Sequence, residues 1–424
     1  MNRRVFLGSL AAGAAALRTR TVSGQSKGTI KLGLIGCGWY GGVVLDAAFK
    51  AGGVELVAVC DVDSDHLDKT AQKYAPLQSG RAPKRYKDWQ ELLATPGLQA
   101  VVIATPPHWH ALPFIEACRR GLDIYCEKPL AYDVAEGRAM VEAAKTAGRI
   151  VQVGFQRRQS QAIRQAAEYI AGGAPGRILA VDAQIHYSPR LADPTPKDPP
   201  ATLDWDVWCG PAPKLPYSEQ VGHFNWRLEK AYGNGHLVDW GIHWIDAIRT
   251  VLGLDAPRVV QAAGGLYQLK GRITTPDLLT AHFEFERVPV VWRHHLIGAP
   301  EYTQDTNIGM FFYGEKETIF VSDNRYVVVS SGKDAPKRVV ELSNDAQLAH
   351  VSEFLEAVRA RTAVSCTPGD AYRSTTAVHL AMIALESGGR VEWDEGAGQI
   401  RDNPRAAALL KREYRGPWKH PSAG

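Results

Sequence analysis

The stretch Lys31-Leu32-Gly33-Leu34-Ile35-Gly36-Cys37-Gly38-Trp39-Tyr40-Gly41-Gly42 decides the fold. Leu32 to Ile35 is a short, continuous apolar run, the pattern of a strand covered on both faces of a parallel sheet. Gly36, Gly38 and Gly41 then fit G-x-G-x-x-G, with Trp39 and Tyr40 between the second and third glycines. In that pattern the first glycine makes a tight turn, and the second lets the backbone approach a pyrophosphate. The third lets the following helix pack close to the strand. The free N–H groups and positive dipole end at the helix start suit phosphate oxygens.

Outward from this turn, a second strand-like run over 54–60 ends at Asp61. An acid about 20 residues past the glycines is placed to bond the adenosine ribose hydroxyls of a dinucleotide. A carboxylate there repels a 2′-phosphate, and Val62 to His66 hold no Lys or Arg. NAD is therefore favoured over NADP. Further buried strands are expected at 100–104, 124–126 and 150–153. Helical patterns at 64–74, 108–120 and 134–147 separate them, with a loop over 75–87. This alternation predicts an α/β doubly wound parallel sheet. Ligands of such sheets sit beyond the carboxyl ends of the strands, which brings Asp61, Thr105, Glu127 and Lys128 to one crevice.

The second half changes character. Residues 189–220 are Pro-rich, with aromatic anchors over 203–208. A helix is expected over 235–252. Strand-like runs follow at 258–268, 278–286, 288–296, 308–313, 318–321, 326–330 and 338–342, uninterrupted by helix, which implies a mainly antiparallel sheet. Helices return at 346–361 and 370–387.

Composition excludes several classes. The 424 residues are 45% hydrophobic and 22% charged, ordinary globular values. Residues 1–24 hold Arg3, Arg4, Arg18 and Arg20 and no acid, and without them the chain has 45 basic and 45 acidic residues. A neutral remainder favours neither nucleic acid nor an anionic membrane. Arg3-Arg4-Val5-Phe6-Leu7 and the weakly apolar run to Leu17 resemble a twin-arginine export signal, too short to span a bilayer. A periplasmic protein, exported folded, is expected, and no later run qualifies as a transmembrane helix. Six single cysteines with no C-x-x-C pair make a zinc site unexpected, and no metal is predicted.

Two groups could carry chemistry. Pro129 keeps Lys128 out of helical conformation, so an extended chain presents a cation at the crevice. That cation can donate to a substrate oxygen or exchange a proton; the alternative is a surface lysine. On a helix, Asp239 and His243 stand at i and i+4 and Asp246 at i+7, all on one face. Asp239 can then orient His243 as the base for a hydroxyl proton, or the pair is structural. Gln156 and Arg157, after the last strand, can reach the nicotinamide side and substrate oxygens, and Arg158 can make a salt bridge between domains. Trp226 can stack on a sugar face and Arg227 can donate to hydroxyls; a core Trp and an exposed Arg are the other reading.

The segments GLIGCGWYGG, VAVCD, ATPPHWHA, YCEKPLA, VGFQRR and GNGHLVDWGIHWID, in this order, resemble the glucose–fructose oxidoreductase/inositol dehydrogenase/rhizopine-catabolism family. The resemblance implies a Rossmann domain over 30–155 and an α+β domain over 156–390 whose open sheet serves substrate binding and homo-oligomer contacts. Residues 1–26 are then the signal and 391–424 a C-terminal tail. It implies Lys128, Asp239 and His243 as the catalytic set. Gly36, Gly38, Trp39, Tyr40, Gly41, Asp61, Thr105, Pro106, His110, Glu127, Lys128 and Gln156 would hold the cofactor. Arg157, Trp226, Arg227 and His243 would meet a sugar or cyclitol. The expected reaction is hydride transfer between a tightly bound NAD(P) and a carbinol. A redox-neutral, NAD-dependent glycoside-cleaving enzyme and a non-catalytic sugar- or cofactor-sensing protein are the rivals.

Overall fold

Every residue of β1 (Ile30–Ile35) except Lys31 is buried, as a strand must be when helices cover both its faces. The computed structural model describes residues 28–298, 305–332, 335 and 337–421; the export signal expected over 1–26 lies outside them. From β1 the chain alternates through α1 (Trp39–Ala51), β2 (Val54–Cys60), α2 (Ser64–Tyr74), β3 (Lys84–Tyr86), α3 (Trp89–Leu93), β4 (Ala100–Ile103), α4 (Ala111–Arg119), β5 (Asp123–Cys126), α5 (Val134–Ala147) and β6 (Val151–Val153). Asp63, Asp88 and Asp133 cap α2, α3 and α5 by accepting backbone N–H bonds. The six parallel strands lie in the order β3-β2-β1-β4-β5-β6. This is the doubly wound sheet expected, with one strand more. β3 falls in the stretch read as loop, because its Lys84-Arg85-Tyr86 carries no apolar run and is largely exposed. The order reverses between β1 and β4, and the crevice opens at their carboxyl ends.

The second domain begins with α6 (Gln161–Ala171) and β7 (Ile178–His186). After the long segment carrying α7 (Trp205–Cys209) come α8 (Ile242–Leu252), β8 (Val259–Gly265), β9 (Leu278–Glu284), β10 (Pro289–His295), β11 (Ile308–Gly314), β12 (Glu317–Val321), β13 (Arg325–Ser330) and β14 (Lys337–Glu341). The chain continues with α9 (Ala346–Ala360), α10 (Pro368–Ser387), β15 (Val391–Asp394) and β16 (Gln399–Arg401). The ten strands form one sheet, ordered β14-β13-β12-β11-β7-β10-β9-β8-β15-β16. It is antiparallel apart from β7 against β10. The seven strands read over 258–342 are all present. β7, not singled out in the sequence, sits at the centre between β10 and β11. Alternate residues such as Val181, Phe283 and Trp292 join Trp244, Ile248 and Leu380 in the main core.

Two stretches cross the domain boundaries read from sequence. On α9, Val351, Phe354 and Leu355 pack with Leu32, Val44 and Leu45, so this late helix covers a Rossmann face. The segment expected as a tail over 391–424 extends the second sheet through β15 and β8. It then returns to α5, where Arg412 reaches Glu136 and His420 reaches Asp133. Apolar spacing reports burial, but not which surface does the burying. All six cysteines are free and buried. Among the described residues no helix is long and apolar enough to cross a membrane.

Arg158 joins the two halves. Its guanidinium donates twice to Asp246 on α8, at 2.8 and 2.7 Å, and both side chains are buried. Ser374 on α10 donates to the same carboxylate at 2.7 Å. Arg158→Met leaves Asp246 buried and under-paired, and should lower unfolding stability by about 3–5 kcal/mol, measured by urea titration. A loss under about 1 kcal/mol, typical of a surface pair, would contradict this role.

Candidate active site

The glycine turn has the three demands its motif states. Gly36 has φ +94°, and a Cβ on it would lie 2.7 Å from Ala104 and Thr105 backbone atoms. A Cβ on Gly41 would lie 2.1 Å from the Gly36 carbonyl oxygen, so the close helix–strand packing needs that glycine. A Cβ on Gly38 would meet nothing within 4 Å. Gly38 therefore leaves open space at the start of α1, where no side chain among the described residues caps the helix. This fits the pyrophosphate of a dinucleotide. Asp61 braces the turn, accepting from Cys37 N–H at 2.7 Å and Asp63 N–H at 2.9 Å.

Beyond the turn lies a cavity of about 250 Å³, partly open to solvent. Gly36, Gly38, Trp39, Tyr40, Asp61, Thr105 and Pro106 line its Rossmann side. Lys87, which follows β3 and escaped the sequence reading with it, lines it too. The opposite wall is a strap from the second domain, residues 189–232, which contributes Val207, Trp208, His223, Phe224 and Trp226. Leu203, Trp205, Trp208, Tyr217 and Tyr232 give the strap its own small core. Ser64 N–H donates to Thr202 O and Asp204 N–H to Val62 O, both at 3.0 Å. Trp109 Nε1 reaches the carbonyls of Val207 and Trp208, also at 3.0 Å.

A second cavity adjoins the first along Trp39, Tyr40, Thr105 and Trp226, and Glu127, Lys128, Gln156, Arg157, Arg227, Asp239 and His243 line it. Lys128 Nζ donates to the Asp239 carboxylate at 2.8 Å and the Asp239 carbonyl at 2.7 Å. Arg227 Nε lies 3.3 Å from the other carboxylate oxygen. Burial works to raise the Asp239 carboxyl, but Lys128 and Arg227 outweigh it and hold the group below the usual carboxylate range. Burial, with Arg157 and Lys128 nearby, holds His243 well below the usual imidazole range, so the ring is neutral. Burial pushes Glu127 up to about 8, with Lys128 pulling the other way. Glu127 Oε1, Thr105 Oγ1 and Gln156 Oε1 are buried without a hydrogen-bond partner among the described residues. Buried polar atoms are normally paired, so three orphans lining one cleft fit a polar ligand such as a nicotinamide amide.

Several expected contacts differ. Leu237–Gly241 is π-helical, a wider turn than the α-helix assumed. The Asp239 carboxylate is paired with Lys128 and Arg227 instead of His243, and His243 Nδ1 has no partner among the described residues. Packing orients this ring, with Phe155 and Trp240 edge-on at 6.2 and 6.3 Å. Asp246 does not line the cleft with Asp239 and His243; it is held by Arg158. His110 lines neither cavity. Its two ring nitrogens lie 2.8 Å from the Thr105 and Pro129 carbonyls, so it braces the loops behind the cleft. Gly41 likewise packs and does not line. Arg157 is paired with Asp323 at 2.6 and 2.9 Å and lies over Trp240 and Trp244. Arg227 stacks on Trp226 at 4.4 Å.

A glycine turn on a doubly wound sheet, opening on a cleft roofed by a second domain, defines a dinucleotide-binding protein. Residues 30–155 match the oxidoreductase family with NAD-binding Rossmann fold, and residues 188–266 and 315–420 match the C-terminal alpha/beta domain of that family. The chain belongs to this family, GFO/IDH/MocA, and carries its NAD-binding domain. It is 33% identical over 162 residues to inositol 2-dehydrogenase of Salmonella typhimurium, covering 38% of this chain and 46% of that enzyme. It is 34% identical over 167 residues to levoglucosan dehydrogenase of Pseudarthrobacter phenanthrenivorans, covering 39% of this chain and 36% of that enzyme. These matches span less than half of the curated relatives' length. Among solved structures, levoglucosan dehydrogenase with NADH and levoglucosan superposes with TM-score 0.68 at 20% identity, covering 86% of this chain and 99% of that one. An Agrobacterium radiobacter oxidoreductase with NAD+, L-tartaric acid and magnesium gives 0.66 at 18% identity, covering 86% and 98%. These likenesses show the fold, a parallel six-stranded sheet followed by a mainly antiparallel one.

Proposed function

We propose that the chain is an NAD-dependent oxidoreductase that moves a hydride between the cofactor and a carbinol of a sugar, glycoside or cyclitol. The observation that carries this reading is the juxtaposition of Lys128, Asp239 and His243 on the cavity that adjoins the glycine turn. Bound NAD supplies the hydride acceptor. Lys128 has three N–H donors, and Asp239 takes two of them. The third is left for the substrate oxygen, where it stabilises the negative charge that grows as the carbonyl forms. His243, held neutral, takes the hydroxyl proton. Asp239 positions Lys128, and Arg227 steadies Asp239 while backing the Trp226 ring against the substrate side. The sugar or cyclitol class draws support from the relatives' activities. A panel of sugars and cyclitols tests it: a ketone product with reduced cofactor supports the reading, whereas glycoside cleavage without net reduction supports the redox-neutral rival.

Asp61 is assigned to the adenosine ribose. Asp61→Ala should weaken NAD by roughly tenfold or more, from one lost charge-assisted bond of about 1.5–3 kcal/mol. NADP should lose less, because the repulsion of its 2′-phosphate disappears and Lys87 faces the same cavity. Direct titration of both cofactors checks this, and equal losses would contradict it.

Export folded, through the signal read at residues 1–26, would place the protein in the periplasm, where a lost cofactor is not replaced. The strap across the cleft supports retention. Protein purified without added NAD should release about one NAD per chain on denaturation, consistent with nanomolar binding, about −12 kcal/mol. An empty chain would contradict retention. Homo-oligomer contact is assigned to the outer face of the second sheet, where Val339 of β14 is exposed opposite Val327.

A further inference from the structure

Asp63, His66 and His223 stand apart from the hydride-transfer chemistry. Their ligand atoms all lie within 4.8 Å of one another. Asp63 precedes α2 and uses one carboxylate oxygen to cap it, accepting from Asp65 N–H at 3.0 Å. The other oxygen is 3.0 Å from His223 Nε2. His66, on the first turn of α2, has Nδ1 3.6 Å from Asp61 Oδ2 and its ring centroid 4.6 Å from that of His223. Among the described residues no lysine or arginine is paired with any of the three. The other His/carboxylate cluster, Asp133, Glu136 and His420, already holds the Arg412 guanidinium.

We propose that Asp63, His66 and His223 form a site for a divalent transition metal, Zn²⁺ or Co²⁺, that fastens the strap to the Rossmann domain. Two imidazoles and one carboxylate are a donor set these ions take, at about 2.0–2.2 Å per bond. The donors lie within 4.8 Å of one another, against about 3.4 Å between tetrahedral ligands at such bond lengths. The Asp61 carboxylate beside His66 Nδ1 is where a supporting acceptor stands when a histidine binds metal through its other nitrogen. Asp63 is buried while the His223 side chain is 34% exposed, so the ion has an entry path. Two ligands come from the β2–α2 turn and the third from the strap, 160 positions away from Asp63. A metal there therefore links the two walls of the adenosine end of the cleft. Single-residue spacing could not reveal such a site, and its presence departs from the absence of metal expected from the cysteines.

Untagged full-length protein, stripped with EDTA, is titrated with CoCl₂ and with ZnCl₂. The expected result is one ion per chain by elemental analysis, with the visible absorption of four-coordinate Co²⁺. His66→Gln and His223→Ala should each weaken binding by more than the roughly 10- to 100-fold that loss of a supporting partner costs, with the circular dichroism unchanged. Zn²⁺ should also slow amide exchange at 202–208 and 223 in the wild type and leave it unmoved in His223→Ala. Wild-type protein that binds neither ion, or variants that bind as tightly as wild type, would overturn the site.

Discussion

Lys128→Met should lower turnover by about 10³-fold, roughly 4 kcal/mol of transition-state stabilisation, while NAD binding holds. The methionine keeps length and removes all three donors. It also leaves Asp239 with Arg227 as its one cationic partner among the described residues. Because Asp239 is buried, part of the loss will come from a carboxylate that now draws a proton. Asp239→Asn separates the contributions. It retains an oxygen for Lys128 but loses the charge, and should cost less than Lys128→Met if Asp239 only positions the ammonium. The check is kcat and KM for each variant on one verified substrate, with cofactor content counted. Turnover within tenfold of wild type in Lys128→Met would remove Lys128 from the chemistry.

His243→Ala should lower turnover by about 10²–10⁴-fold, the usual contribution of a positioned general base. It should also change the pH profile. Burial, Arg157 and Lys128 hold the His243 pKa well below its ordinary value, so the neutral base persists into acid. In wild type, oxidation should hold its rate through the ordinary imidazole range and fall only at lower pH. The direction follows from protonation: the charged ring cannot accept the hydroxyl proton. In His243→Ala that acid limb should vanish. A wild-type limb at the ordinary histidine value would mean that His243 is solvated when substrate binds. Wild-type turnover in His243→Ala would assign the proton elsewhere, with Glu127, pushed up to about 8, as the nearest candidate.

Much of this arrangement was legible in the residues. Continuous apolar runs between helical patterns marked β1, β2, β4, β5 and β6, because strands buried on both faces carry that signal. Successive strand-like runs with no helical pattern between them marked the second sheet. β3 was hidden because a short, charged edge strand has no such run. The glycine turn with Asp61 and the strand-end Lys128 were legible because the backbone itself dictates where they face. The Asp239–His243 pairing was not. It assumed 3.6 residues per turn where Leu237–Gly241 is π-helical, and it left out Lys128 and Arg227, which compete for the carboxylate from other elements. The strap was legible only as a Pro-rich segment with aromatic anchors and two candidate substrate residues, Trp226 and Arg227. Its Pro189, Arg190 and 224–228 do line the inner cavity, but its hold on the β2–α2 turn depends on backbone bonds that side-chain patterns do not encode.

The central claim is that hydride leaves a substrate carbinol in the chamber bounded by Lys128 and His243. Single-turnover mixing tests it most directly. Protein loaded with NAD is mixed with each member of a sugar and cyclitol panel, and reduced nicotinamide absorbance is followed in wild type, Lys128→Met and His243→Ala. The account predicts one equivalent of reduced cofactor per site with at least one carbinol substrate, slowed by orders of magnitude in both variants. Reduction at the wild-type rate in both variants, or no reduction with any carbinol by fully loaded protein, would contradict it.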